Sequence, residues 1–122
     1  MKTIRSIRFL NFLVDETEEC QRCKTFDMYK RAAEKGHPPK RRPWGGGMGQ
    51  KASDLGSLHL CDMCHRLEHS NPIGAWNHCD RDDLALQNLI RYAEHLDPSI
   101  DLRSELLERA QVRVIQLEGG ES

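Results

Sequence analysis

Between Cys61 and His69 the chain carries two thiols and two imidazoles, Cys61, Cys64, His65 and His69, and a cysteine pair of the same internal spacing lies upstream at Cys20 and Cys23. Two C-x2-C pairs supply four thiolates at the bite of a tetrahedral zinc ion, so they predict a structural zinc site. On a helix starting near Cys64, His65 and His69 sit four apart and project from one face, an arrangement suited to a second, reactive divalent cation. Cys79 stands outside this pattern and reads as a buried free thiol, with His78-Cys79 as a substitute if one of the four is unbound.

Composition makes a metal staple useful. The 122 residues are one domain's worth of chain, with 38% apolar, 6% aromatic and 30% charged residues, so the apolar core is expected to be thin for the length. Structural zinc contributes about 10–16 kcal/mol of apparent binding energy in small domains. Joining the two pairs closes a loop of about forty residues, which costs roughly 3 kcal/mol plus a constant. With five cysteines, and with no long apolar run after Met1-Lys2-Thr3-Ile4 to serve as a signal peptide or membrane span, the expected setting is cytoplasmic, where paired C-x2-C motifs bind zinc rather than form disulfides. A thiol redox role for Cys61 and Cys64 is the weaker alternative, because no βαβ pattern surrounds either pair.

The formal net charge of −1 hides an asymmetry. From Arg22 to Lys51, nine basic residues face only Asp27 and Glu34, whereas after Cys79 ten acidic residues face five arginines. Phosphate contacts therefore belong to the first half, through Lys40, Arg41, Arg42 and Lys51, with Arg66 beside the histidines.

The elements that must position these residues are short. Ile7, Leu10, Leu13 and Val14 recur at helical spacing after Ser6, predicting a helix over 6–14, with a strand over 3–9 as the competing reading. Residues 27–35 read as one or two helical turns closed by Gly36. Prolines 38, 39 and 43 and the glycines at 45–47, 49 and 56 make 36–57 an extended loop. Residues 58–60 form a short strand, 64–70 a helix ended by Asn71-Pro72, and Trp76 packs on the knuckle. Leu86, Leu89, Ile90, Ala93 and Leu96 mark one amphipathic helix, and Pro98 opens a second through Leu102, Leu106, Leu107, Ala110, Val114 and Leu117. This pair forms a hairpin on the rest or a homodimer contact. His59 and His95 match no site pattern.

In order, Cys20-x2-Cys23, His37, the glycine-rich stretch 46–54, and Leu60-Cys61-x2-Cys64-His65-x3-His69 resemble the zinc-stapled branch of the HNH endonuclease superfamily, particularly small phage-encoded members. The likeness covers roughly residues 18–79. It implies an α+β fold: a small zinc-stabilised ββα-metal, treble-clef-like module over 1–79 with a helical N-terminal segment, and a C-terminal helical hairpin over 80–122. It implies DNA as substrate, His37 as general base, and His65 and His69 as ligands of a catalytic Mg²⁺, Mn²⁺ or similar ion. If the chain is phage-encoded, its cytoplasm is that of a bacterial host. Two positions depart from the pattern. Gly36 stands where an acidic or histidine ligand often precedes the base, and the middle asparagine that orients the base is missing; of Asp54 and Gly56 in that region, only Asp54 can orient an imidazole. The alternative expectation is a catalytically inactive zinc-stabilised module that binds nucleic acid or protein.

Overall fold

The computed structural model describes residues 4–38, 44–45, 52–71 and 78–119, with His78 and Cys79 described by backbone alone. Helix α1 runs Ile7–Glu16, and the Ser6 hydroxyl accepts from the Phe9 amide at 3.1 Å to cap it. Its buried Phe9, Leu10 and Leu13 form the apolar stripe, so helical periodicity prevails over the strand alternative. A short α2, Gln21–Thr25, follows inside the first cysteine pair.

Residues 27–35 do not form the expected helical turns. The Ala32 amide donates to the Glu18 carbonyl at 2.8 Å and the Ala33 amide to that of Leu60 at 2.8 Å, and Arg31 is bridged to Glu19. Donors that a helix would use internally are thus taken by neighbouring chain. Glu34–Gly36 becomes strand β1, antiparallel to β2, Leu58–Leu60, with Glu34 opposite Leu60, Lys35 opposite His59 and Gly36 opposite Leu58. The strand ends before Pro38, which lacks a donor for a ladder. A one-turn 3-10 helix, Asp54–Gly56, precedes β2, and α3, Asp62–Ser70, leaves it directly and ends at Asn71.

The C-terminal part is α4, His78–Leu96, and α5, Leu107–Leu117. The second helix starts later than Pro98. The Asp97 and Asp101 carboxylates accept from the amides of Ser99 and Arg103, two residues on, at 3.1 and 3.0 Å. These local turns compete successfully with a helix across 98–105. Two buried clusters result. One joins α1, α4 and α5 through Phe9, Leu13, Leu55, Leu89, Tyr92, Ala93, Leu102 and Val114, and the other surrounds the four cysteines with Trp44, Leu58, Leu60 and Ala85.

Arg81, on the first turns of α4, locks this arrangement. Its guanidinium, 2% exposed, donates to Glu68 Oε2 on α3 at 3.0 Å, to the Gly56 carbonyl at 2.8 Å and to the Gly36 carbonyl at 3.0 Å. One side chain thus ties the end of β1, the approach to β2 and the face of α3 to the C-terminal helix. Replacing Arg81 by Met removes the ion-pair partner of the largely buried Glu68 and the donors to the Gly36 and Gly56 carbonyls, so urea unfolding is expected to show a loss of about 3–5 kcal/mol. A loss below about 1 kcal/mol would contradict this role.

Candidate metal centre and histidine pairs

The four thiols come from two ends of the fold. Cys20 caps α2, with its Sγ accepting from the Cys23 amide at 3.4 Å, and Cys61 precedes α3, whose first turn carries Cys64. All four are buried, and their sulfurs lie within 4.8 Å of one another, with Cys23 to Cys64 at 3.5 Å and Cys23 to Cys61 at 3.9 Å. Tetrahedral zinc with Zn–S bonds of about 2.3 Å sets sulfurs about 3.8 Å apart. The cluster therefore fits a structural zinc ion in both donor type and spacing. Burial pushes the Cys23 thiol well above its ordinary value, and its sulfur neighbours push it the same way. Four adjacent thiolates repel, and a divalent cation removes that penalty. Arg22 adds positive charge at the rim, with Nη1 3.5 Å from Cys64 Sγ.

His65 and His69 meet on one face of α3 as their spacing requires, with Nε2 atoms 3.1 Å apart. Ligand nitrogens at about 2.1 Å from a common cation lie at about this separation. His65 Nδ1 is 2.9 Å from Glu34 Oε1 on β1, and this hydrogen bond holds the Glu34 carboxyl below its usual range. A carboxylate on Nδ1 fixes the ring with Nε2 turned toward His69, the usual support of a metal-ligating histidine. Sequence reasoning missed Glu34. The signal was its isolation, one of two acidic residues in a basic stretch and three before His37.

His37 directly follows β1, and its Nε2 is 2.7 Å from Asp54 Oδ1. Asp54 is itself held from the N-terminal segment, where the Ser6 amide donates to Oδ2 at 2.8 Å and Arg5 Nη1 to Oδ1 at 3.0 Å. A carboxylate only accepts, so Nε2 is the donor of this hydrogen bond. Arg5 and Ser6 were not foreseen, because nothing in their local sequence points to a partner almost fifty positions away.

Among the described residues, the thiols are the group in which three or more donor atoms converge; the histidines form two pairs, His37 with Asp54 and His65 with His69. Gly36 lies between them, its missing Cβ position 3.2 Å from His65 Cδ2 and 2.8 Å from Leu60 Cδ1. A Cβ at Gly56 would lie 2.7 Å from the Trp44 ring and 2.6 Å from Pro38. Gly36 and Gly56 are thus glycines at close approaches. His59 is buried, with Nδ1 2.6 Å from the Thr17 carbonyl, in keeping with a structural role. Arg66 is exposed and pairs with Asp62 at 2.8 Å, whereas Lys40, Arg41, Arg42, Lys51 and Trp76 lie outside the described residues, as do the side chains of His78 and Cys79. Among the described residues no helix is long and apolar enough to cross a membrane.

No protein-family model, curated protein or solved structure matches the chain.

Replacing Cys61 by Ser removes one thiolate from a site whose binding energy is part of the folding energy. Elemental analysis is expected to find zinc lost, and circular dichroism to find tertiary structure lost with it. A folded, zinc-free Cys61→Ser protein would contradict the assignment.

Proposed function

We propose that this chain is a metal-dependent endonuclease of the HNH type that hydrolyses DNA phosphodiester bonds. The observation that carries the reading is the 3.1 Å approach of His65 and His69 Nε2, buttressed by Glu34 on the strand that leads into His37. The antiparallel β1–β2 pair followed by α3, with thiols at both ends, is consistent with a ββα-metal module. Asp54 stands in for the missing asparagine as the group that orients the base.

In this reading the neutral His37 imidazole takes a proton from water as the water oxygen bonds to phosphorus and the bond to the leaving sugar oxygen breaks. Asp54 holds the imidazole in the required tautomer and stabilises the imidazolium that forms. A divalent cation held by His65 and His69, with waters and phosphate oxygens completing its shell, would stabilise charge on the phosphate and leaving oxygen. Basic residues of the 36–57 stretch and Arg66 hold the backbone of the substrate.

A second reading, a zinc-stabilised module that binds nucleic acid or protein without cleaving, draws support from Gly36, which offers no side chain as a further ligand beside His37. It requires DNA binding unaffected by changes at His37 and His69.

Incubated with plasmid and Mg²⁺ or Mn²⁺, the protein is expected to nick or linearise DNA, and His37→Ala to lose about 100-fold or more in rate. Equal inactivity of both proteins with every cation favours the non-cleaving module. Replacing Glu34 by Gln is expected to weaken Mn²⁺ binding, followed by calorimetry, by about 10–100-fold while one zinc per chain is retained. Unchanged Mn²⁺ affinity would remove Glu34 from the site.

A further inference from the structure

The first cysteine knuckle carries a surface that neither the zinc cluster nor the histidine pairs use. From Lys24 to Arg31 every residue is exposed, and the stretch includes three large apolar side chains: Phe26 at 55%, Met28 at 46% and Tyr29 at 74% exposure. A small chain with a thin core gains by burying such side chains, so displaying three together calls for a partner.

The display is held rigidly. The amides of Phe26 and Met28 both donate to the Cys23 carbonyl, at 2.9 and 3.0 Å, and the Cys20 amide donates to the Lys30 carbonyl at 2.7 Å. Asp27 between them adopts φ +57°, a left-handed conformation uncommon for non-glycine residues, at the turn that follows α2. The Arg22 guanidinium lies 5.0 Å from the centre of the Phe26 ring and orders it. The loop backbone is thus held to the first cysteine pair and the Phe26 ring is held by Arg22, which lowers the ordering cost of binding.

Charge identifies the partner. Between Arg22 and Arg31, Arg22, Lys24, Lys30 and Arg31 face Asp27 alone. Rings interleaved with cations on one exposed loop match a nucleic-acid strand whose bases are unstacked, because a base offers a flat face to the ring while the adjoining phosphates meet Lys and Arg. An intact duplex keeps its base faces covered.

We infer that the Phe26–Tyr29 loop is a stacking platform for unpaired bases, so the protein engages single-stranded or locally opened DNA through a contact separate from its histidines. The inference rests on the proposed action on nucleic acid and adds to it the form of substrate recognised.

The test is fluorescence anisotropy of the zinc-loaded full chain with a labelled single strand and with a blunt duplex of the same sequence. The wild type is expected to prefer the single strand. Phe26→Ala and Tyr29→Ala are each expected to weaken single-strand binding about fivefold or more, with much smaller effects on the duplex, and Tyr29→Trp to restore it. Lys30→Gln with Arg31→Gln is expected to lower the salt slope by about 1.4, as for two lost phosphate contacts. Zinc content of each variant verifies that the knuckle is intact. Wild-type binding with unchanged affinity in both alanine variants overturns this inference alone, and so does a loss shared equally by single strand and duplex. If sedimentation shows that the alanine changes separate a dimer without altering DNA binding, the surface belongs to a second copy of the chain and the inference falls. Absence of binding to any DNA overturns the proposed function as well.

Discussion

Four thiols from segments nearly forty residues apart have to meet in one buried place, and most of the molecule is arranged to let them. Cys20 and Cys23 sit at the cap and within the five-residue α2, and Cys61 and Cys64 at the start of α3. The cysteines are themselves members of one of the two buried clusters. Bringing these segments together has a loop-closure cost, and burial raises the proton affinity of the Cys23 and Cys64 thiols, which opposes leaving them as unpaired thiolates. A tetrahedral cation relieves both at once, and the sulfur spacing matches that remedy.

Once the thiols are gathered, the two histidine pairs follow from chain geometry. Cys61 begins α3, so the imidazoles at 65 and 69 are presented on its face one turn apart. The antiparallel register sets Glu34 opposite Leu60, immediately before Cys61, which brings the Glu34 carboxylate to His65. His37 emerges at the other end of the same three-residue strand and turns to Asp54, which the N-terminus of α1 holds. Arg81 then fixes the carbonyls of Gly36 and Gly56 against Glu68, so the C-terminal helix helps to set the spacing of the histidine face. The buried amide pair Gln21 and Asn88, with Gln21 also accepting from the His59 amide, fastens α4 to the knuckle in a similar way.

Much of this was legible in the sequence, unevenly and for physical reasons. Two C-x2-C pairs of equal spacing pointed to the four-thiol cluster through the tetrahedral bite they share, although its halves lie nearly forty residues apart, and the i, i+4 spacing on a helix carried the His65–His69 pair. Helix α1 and the apolar face of α4 followed from periodicity in the same way. Residues 27–35 were misread as helix because their backbone partners, Glu18 and Leu60, are distant in sequence and invisible to local propensity. The delayed start of the last helix came from Asp97 and Asp101, whose side chains outbid Pro98 for the local backbone. Glu34, Arg5 and Arg81 went unnoticed as ordinary surface charges, although each acts through a long-range hydrogen bond. The glycines at 36 and 56 stand where a side chain would meet close neighbours in the fold.

Zinc-edge X-ray absorption on the purified protein probes this arrangement most directly. Four sulfur scatterers at about 2.3 Å are expected, with no nitrogen or oxygen in the first coordination shell. A shell containing nitrogen, or a fully folded protein with no zinc, would contradict the claim that these thiols organise the chain.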